Sequence, residues 1–586
     1  MILLGIFLIL RLRIFISNNK NRKINEHRPK FENKIIKENF FIIDSNNLDK
    51  VCSHIYGFVI SKKGILTDNY YKEIGQYEDP EPQGIYIMIR KKGNEIKINQ
   101  DFYGSCGLYF YENKNTQYFA LSNSFLLLEE YLMGNQNLTF NQNFADNLII
   151  EGLCSSSIYE TMINEIILLP PNAFLTINIE EKKLNIFYID YKENSIPFDT
   201  KEGINIIDKW VDKWGYIIRS LKKQTDNISC DLSGGFDSRA TLSILLNSGI
   251  DLNKILINSA NDSLSCHEED FQIAHNISEK FGFKLNDAKL DKNSTKWSAL
   301  DILYNSFYTK LGFHKEFYLK YKFFLKPRFS VSGGGGELIR GYPGYPIQEY
   351  IKKLSSQSRR IKEYEKKFYN SSFNLLNRQV DLLKKNTYNN DLEISTDFYS
   401  KGRVRNHFGK GALENFIANI YVLQPMIDPE IKKLKYINEE STHDLIAYIY
   451  VRFSHDLIYF PFEGKRKLNI KSIKKAEKLN KQLPPYKRKD NYNENFYIDI
   501  KRKSPVIKIK NEANPTDYLL QIFNSSKYVK SFIKLYNISI YSWAIEKSKR
   551  NNFFPLKHIY GLFAISKIID DLVHSNKSNL KIKQII

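Results

Sequence analysis

Leu232-Ser233-Gly234-Gly235-Phe236-Asp237-Ser238 is the stretch on which the reading of this chain turns. It follows a candidate strand over 227–232 and opens a candidate helix over 238–247 that stops at Gly249. Each residue type has a use in that setting. Glycines let backbone N–H groups close around phosphate oxygens, the helix offers its positive N-terminus, and the Ser233 and Ser238 hydroxyls add donors. Asp237 would be repelled by phosphate, but a carboxylate there can hold Mg²⁺ bridging phosphates. The stretch therefore points to a nucleotide. The Walker pattern Gly-x4-Gly-Lys-[Ser/Thr] is absent, which argues against γ-phosphoryl transfer of that type.

Outward from this loop the pattern repeats. A second strand is expected over 254–260, with Ile255, Leu256 and Ile257, and a second helix over 268–281, with apolar Phe271, Ile273, Ala274 and Ile277 before Gly282. Strand, helix, strand, helix implies a parallel sheet. A second glycine loop, Ser330-Val331-Ser332-Gly333-Gly334-Gly335-Gly336-Glu337, again comes after an apolar stretch and leads into Leu338-Ile339-Arg340-Gly341-Tyr342. Taken alone it also reads as a flexible surface loop. Its place one strand away from the first loop gives it weight, because ligands of such sheets bind beyond the carboxyl ends of the strands. Beyond Tyr350 the pattern is mainly helical, and the Lys-rich 470–489 reads as surface helix or loop.

The first third reads differently. Gly84-Ile85-Tyr86-Ile87-Met88-Ile89, Gly107-Leu108-Tyr109-Phe110-Tyr111, Tyr118-Phe119-Ala120-Leu121 and Ala173-Phe174-Leu175-Thr176-Ile177 are β-branched and aromatic runs separated by turn residues, as in antiparallel sheets. The polar Lys192-Glu193-Asn194-Ser195-Ile196-Pro197 sets the boundary between 1–195 and 200–586. The expected class is α/β and α+β. The apolar run from Met1 to Leu10 ends at Arg11 and Arg13; a membrane span needs about 20 apolar residues, and a secretory signal carries its charges before the apolar run. A buried first strand or an interfacial anchor remains.

The 586 residues carry 86 Lys+Arg against 65 Asp+Glu, a formal +21 that either reflects general Lys enrichment or makes a basic face for acidic partners. At this length each domain can bury a sizeable core. Cys52, Cys106, Cys154, Cys230 and Cys266 are odd in number and far apart, so neither a disulfide framework nor a Cys-x-x-Cys site is signalled, and the cytoplasm is the expected compartment.

Residues 233–238 resemble the pyrophosphate-binding loop of the asparagine synthetase superfamily. Residues 332–342 resemble that family's Ser-Gly-x-Gly-x-Asp-Glu-Leu-x-x-Gly-Tyr, and Pro425-Met426-Ile427-Asp428-Pro429 is similar to its Pro-Phe-Leu-Asp segment. In the first third, Asp101-Phe102-Tyr103-Gly104-Ser105-Cys106-Gly107-Leu108-Tyr109 and Ile166-Ile167-Leu168-Leu169-Pro170-Pro171-Asn172 resemble its Asp-x-x-Gly-x-x-Pro-Leu-Tyr and Ile-x-x-Leu-Pro-Pro-Gly stretches. The resemblance implies an N-terminal Ntn-type antiparallel β-sandwich, glutamine amidotransferase-like, over 1–195. It also implies a doubly wound parallel-sheet synthetase domain, adenine nucleotide α-hydrolase-like with a helical C-terminal part, over 200–586.

Two departures bear on activity. The family's glutaminase uses a Cys directly after the initiator Met; here Gly5-Ile6-Phe7 matches the residues beyond that Cys, but Leu4 stands in its place, and a leucine cannot attack an amide. The glutamine-clamping Asn-Gly-Glu is not visible between Lys50 and Gly84. The domain is thus expected to be structural, an arrangement similar to the β-lactam synthetases and lasso-peptide cyclases. In the second loop the chain is one residue shorter than Asp-Glu and offers only Glu337.

The reaction implied is a two-step ligation: a carboxylate attacks the α-phosphorus of ATP to give an acyl-adenylate and pyrophosphate, and ammonia or an amine then attacks the activated carbonyl. ATP would contact Leu232, Ser233, Gly234, Gly235, Phe236, Asp237, Ser238, Asn258, Ser332 and Gly333, with Mg²⁺ at Asp237 and Glu337. A pyrophosphate-side lysine is expected at Lys489 in Leu483-Pro484-Pro485-Tyr486-Lys487-Arg488-Lys489, with Glu463-Gly464-Lys465-Arg466-Lys467 as its rival. Arg403-Val404-Arg405-Asn406-His407-Phe408-Gly409 suits either a carboxylate-binding acceptor pocket or a helix face with one satisfied histidine. Asp428 suits either substrate contact or a cap before Pro429. The expected partners are a small-molecule, peptide or acidic-sugar carboxylate and ammonia or an amine, without nucleic acid or a transmembrane span; a homodimer is compatible. An RNA-modifying ATP pyrophosphatase and a degenerate ATP-binding protein are the alternatives.

Overall fold

The computed structural model describes residues 38–150, 157–189, 196–261, 265–287, 290, 294–296, 299–310, 322–340, 344–356, 365–384, 391–435, 443–489, 495–499, 502, 523–524, 526–536, 539–542, 546 and 557–575. The expected first strand over 1–10, Leu4 with Gly5-Ile6-Phe7, Cys154, Gly341 and Tyr342 lie outside them.

The architecture is mixed α/β. The β-rich runs of the first third build two antiparallel sheets. One has four strands in the order Ile42–Asp44, Tyr118–Ser122, Tyr109–Asn113, Ile166–Leu168. The other has the order Lys183–Tyr188, Ala173–Asn178, Glu95–Gln100, Gly84–Lys92, His54–Ser61, Gly64–Leu66 and finally Tyr497–Ile498. Period-two alternation sorts its faces. Ile55 and Val59 join Tyr71 of the short helix Asp68–Ile74 in one small core, while Phe58 and Ile60 enter the main core.

The second half contains the expected parallel sheet, in the order Leu256–Asn258, Ile228–Asp231, Arg328–Val331, Ile420–Leu423. The helix after the first glycine loop runs Phe236–Asn247, two residues ahead of the expected start, because extended Gly235 takes the N-cap position. Helix Ser265–Phe281 also begins early, and the strand expected over 254–260 shortens to Leu256–Asn258 behind a 3-10 turn capped by Asp251. Of the Lys-rich 470–489, Ile470–Lys481 is a helix whose cap, Asn469, accepts the Lys471 N–H at 2.9 Å. Helix Lys201–Gln224 packs on Phe236–Asn247, and Asp444–Phe453 packs on Phe236–Asn247 as well.

The halves interlock. Tyr497–Ile498, far beyond the expected boundary, runs parallel to Gly64–Leu66 and extends the first half's sheet. Phe58 packs 5.4 Å from the Phe416 ring and 5.2 Å from the Tyr421 ring of the parallel-sheet half. Among the described residues no helix is long and apolar enough to cross a membrane.

Candidate functional site

Strands Ile228–Asp231 and Arg328–Val331 are hydrogen-bonded neighbours with Cys230 opposite Val331, so the two glycine loops leave the sheet side by side at its carboxyl edge. Their contact explains the glycines. A Cβ on Gly333 would lie 2.7 Å from the Asp237 carbonyl carbon and the Ser238 nitrogen, and one on Gly336 would lie 2.4 Å from Asp237 Cγ. Gly335 has φ +83°, and a Cβ there would meet Ile427 Cγ2 at 2.1 Å. Close approach, together with the left-handed backbone at Gly335, requires glycine, so the tetrad is a packed element and not a flexible surface loop.

The first loop is tied at both ends. Leu232 N–H donates to the Asn258 carbonyl at 2.8 Å, and Asn258 Nδ2 donates to Asp231 Oδ1 at 3.1 Å. Ser238 Oγ accepts the Ser233 N–H at 3.1 Å, and Ser233 Oγ accepts the Gly235 N–H at 3.2 Å. Gly234 N–H donates to Asp270 Oδ1 at 2.6 Å. Gly235 caps helix Phe236–Asn247 without a side-chain bond, so the first-turn N–H groups receive no side-chain cap. In the second loop Ser332 N–H donates to the Leu423 carbonyl at 2.8 Å and Gly334 N–H to Ser332 Oγ at 3.1 Å.

The charged centre lies where the loops meet. Arg340 grips Asp237 with both tines, Nε to Oδ1 and Nη2 to Oδ2, each at 2.8 Å. Burial works most strongly against the Arg340 charge, and the hydrogen bonds to Asp237 together with the charges of Asp237 and Glu337 outweigh it. Glu337 lies beside them with Oε2 buried and lacking a hydrogen-bond partner. Burial and then the Asp237 charge push its carboxyl upward, opposed by Arg340 and Arg403. That orphan oxygen suits a hard cation. At Asp237 a cation would have to compete with the guanidinium, and among the described residues no group of three or more His, Cys, Asp or Glu stands ready for a metal.

Leu232, Ser233, Gly234, Gly235, Phe236, Asp237, Ser238, Asn258, Ser332, Gly333 and Glu337 are thus brought to one edge. Lys489 is not. Its N–H donates to Asp212 Oδ1 at 3.0 Å beside Tyr486, whose hydroxyl donates to the same oxygen at 2.6 Å, and Arg488 Nη1 donates to the Ser248 carbonyl at 3.3 Å. Ser248 caps the far end of the 12-residue helix Phe236–Asn247, about 18 Å from its start. The rival segment lies at the loop: Glu463 N–H donates to the Gly234 carbonyl at 3.2 Å, and the Arg466 guanidinium is 5.6 Å from the Phe236 ring centroid, with Arg340 at 5.5 Å from the same ring.

Residues 403–409 fall within a π-helix, Ser400–Gly409, which continues into helix Lys410–Ile417. Arg405 is fully buried and donates to the carbonyls of Gly104 at 2.9 Å and Leu169 at 2.6 Å, so it fastens the two halves and is spent as an acceptor-pocket group. Burial, with Arg403 and Lys310 nearby, pushes His407 down to about 3, leaving the ring neutral. Phe408 does reach the site: a Cβ on Gly334 would lie 3.0 Å from its ring. Asp428 caps Pro429–Lys432, accepting the Glu430 N–H at 3.0 Å, and also takes the Trp214 Nε1–H and the Lys213 ammonium, each at 2.9 Å.

Sequence reasoning missed Asp270, and it gave Arg340 and Phe408, each within a stretch it singled out, no role of their own. Arg340 stands three residues after Glu337, but nothing local signals that its side chain returns to a residue 103 positions earlier. No protein-family model and no curated protein matches the chain.

Proposed function

We propose that the chain is an ATP-dependent amide-forming ligase of the asparagine synthetase type, with an Ntn-like first half and an adenine nucleotide α-hydrolase-like second half. The observation that carries this reading is the contact of the two glycine loops at Asp237, with Glu337 alongside. The uncapped first turn of helix Phe236–Asn247 and the Ser233 and Ser238 hydroxyls would hold the triphosphate. Leu232, Asn258, Ser332 and Gly333, at the strand ends, would border the nucleoside.

A carboxylate aligned on the α-phosphorus would displace pyrophosphate, giving the acyl-adenylate, and an amine would release AMP. Fixed backbone donors aimed at the departing pyrophosphate act without reorganising. Mg²⁺, when bound, would neutralise phosphate charge, and the free Glu337 oxygen would hold it. Arg466, beside Phe236, replaces Lys489 as the C-terminal cation at the loop. The first half, with Leu4 in the nucleophile's place, would be a structural platform.

The test is exchange of labelled pyrophosphate into ATP, screened over carboxylate pools. Exchange that depends on a carboxylate and is lost in Asp237→Ala supports ligation. The Asp237–Arg340 pair favours a second reading, a nucleotide-binding protein without turnover; ATP binding with no AMP from any carboxylate would decide for it.

A further inference from the structure

We propose that Arg340 is the built-in cation of this site: its guanidinium supplies the positive charge that a metal at Asp237 would bring and passes from that carboxylate to a phosphate when nucleotide arrives, so that ATP binds with little dependence on Mg²⁺. The inference rests on the ligase reading for the identity of the nucleotide.

Three observations carry it. The first is the fork: Nε and Nη2 each lie 2.8 Å from a separate Asp237 oxygen, and the same parallel pair of N–H donors spans two oxygens of a phosphate. The second is position. The guanidinium stands 5.5 Å from the ring of Phe236, the first residue of helix Phe236–Asn247, where the uncapped N-terminal N–H groups also favour an anion. A guanidinium beside the positive end of a helix is unfavourable by itself. Asp237 neutralises both, and an incoming phosphate can take its place against both. The Arg340 side chain retains 18% of its exposure and is therefore reachable.

The third is the turn of the second loop. The 3-10 turn Gly336–Leu338, with the Arg340 N–H bonded to the Glu337 carbonyl at 3.3 Å, puts Arg340 back over Asp237. With the guanidinium already on Asp237, that carboxylate has its positive partner without a metal.

The experiment is calorimetric titration of the full chain with ATP, in excess EDTA and in millimolar Mg²⁺. The wild type is expected to bind in both, with dissociation constants within about threefold of each other. Arg340→Gln is expected to bind about tenfold or more weakly in EDTA, the worth of a charge-assisted pair, and to recover with Mg²⁺ once Asp237 is free. Arg340→Lys, which keeps the charge and loses the fork, should fall between. Wild-type binding that appears only with Mg²⁺ overturns the inference and leaves the ligase reading in place, and this arm needs no variant to fold. Unchanged EDTA binding in a folded Arg340→Gln overturns it too. Absence of ATP binding in both buffers overturns the ligase reading, and the inference with it.

Discussion

Two buried charged clusters, one in each half, differ in how completely they are satisfied. Around Asp101 the pairing closes: its carboxylate accepts N–H bonds from Tyr86 at 3.2 Å, Tyr103 at 3.1 Å and Ser105 at 2.9 Å, and the Ser105 hydroxyl at 2.9 Å. Arg405 and Lys410 enter from the other half and end on the carbonyls of Gly104, Leu169 and Cys106. Around Asp237 it stays open, with one carboxylate held by a partly exposed guanidinium and the other keeping a buried oxygen without a partner. Buried polar groups are nearly always paired, so a closed cluster holds a fold and an open one marks where a ligand completes the pairing. The resembling motifs run through both clusters, yet of the two it is the second that keeps a buried carboxylate oxygen without a partner.

The largest expected contrast comes from removing one carboxylate. Asp237→Ala should lower pyrophosphate exchange by about a hundredfold or more, a loss larger than the fall in thermal stability that comes from leaving the Arg340 guanidinium without its carboxylate. At the closed cluster the signs reverse. Arg405→Met should lower unfolding free energy by about 2–4 kcal/mol in urea titration, since it orphans several buried carbonyls.

Lys410 offers a subtler version. Burial pushes its ammonium down to about 7 from an ordinary 10.5, with Arg405 adding to the effect and Cys106 and Asp101 opposing it. Between those values the unfolded chain binds the proton and the folded chain does not, so the unfolded state holds more protons and stability rises with pH from about 7 to about 10.5. Below about 7 both states are protonated and the penalty is constant. Lys410→Met should flatten that rise relative to the wild type in denaturation series across the window. The smallest effect belongs to Lys489→Ala, whose exchange rate should stay within about twofold of the wild type because its backbone is bonded to Asp212 and its neighbour Arg488 to Ser248, at the end of helix Phe236–Asn247 away from the glycine loops.

Much of the site was legible because its signals are local. Strand, glycine turn and helix between Ile228 and Asn247 come from short-range periodicity and punctuation, and the two loops meet because neighbouring parallel strands must release them at one edge. The illegible part depends on where distant segments come to rest. The Lys487-Arg488-Lys489 run has the composition of a phosphate contact, but Tyr486 and the Lys489 N–H commit it to Asp212. The Arg403–Arg405 pair looks suited to a carboxylate, yet Arg405 spends its donors on backbone carbonyls that only the docking of the two halves supplies. Tyr497–Ile498 is too short for any period to mark, and its pairing with Gly64–Leu66 is set by that same docking.

The claim that both glycine loops serve one nucleotide is tested most directly by photoaffinity labelling with an azido-ATP, with mass-spectrometric mapping of the labelled peptides. Label on peptides containing 232–238 and 332–340, competed by unmodified ATP, is the result expected. Label confined elsewhere, or label that ATP does not displace, would contradict the account.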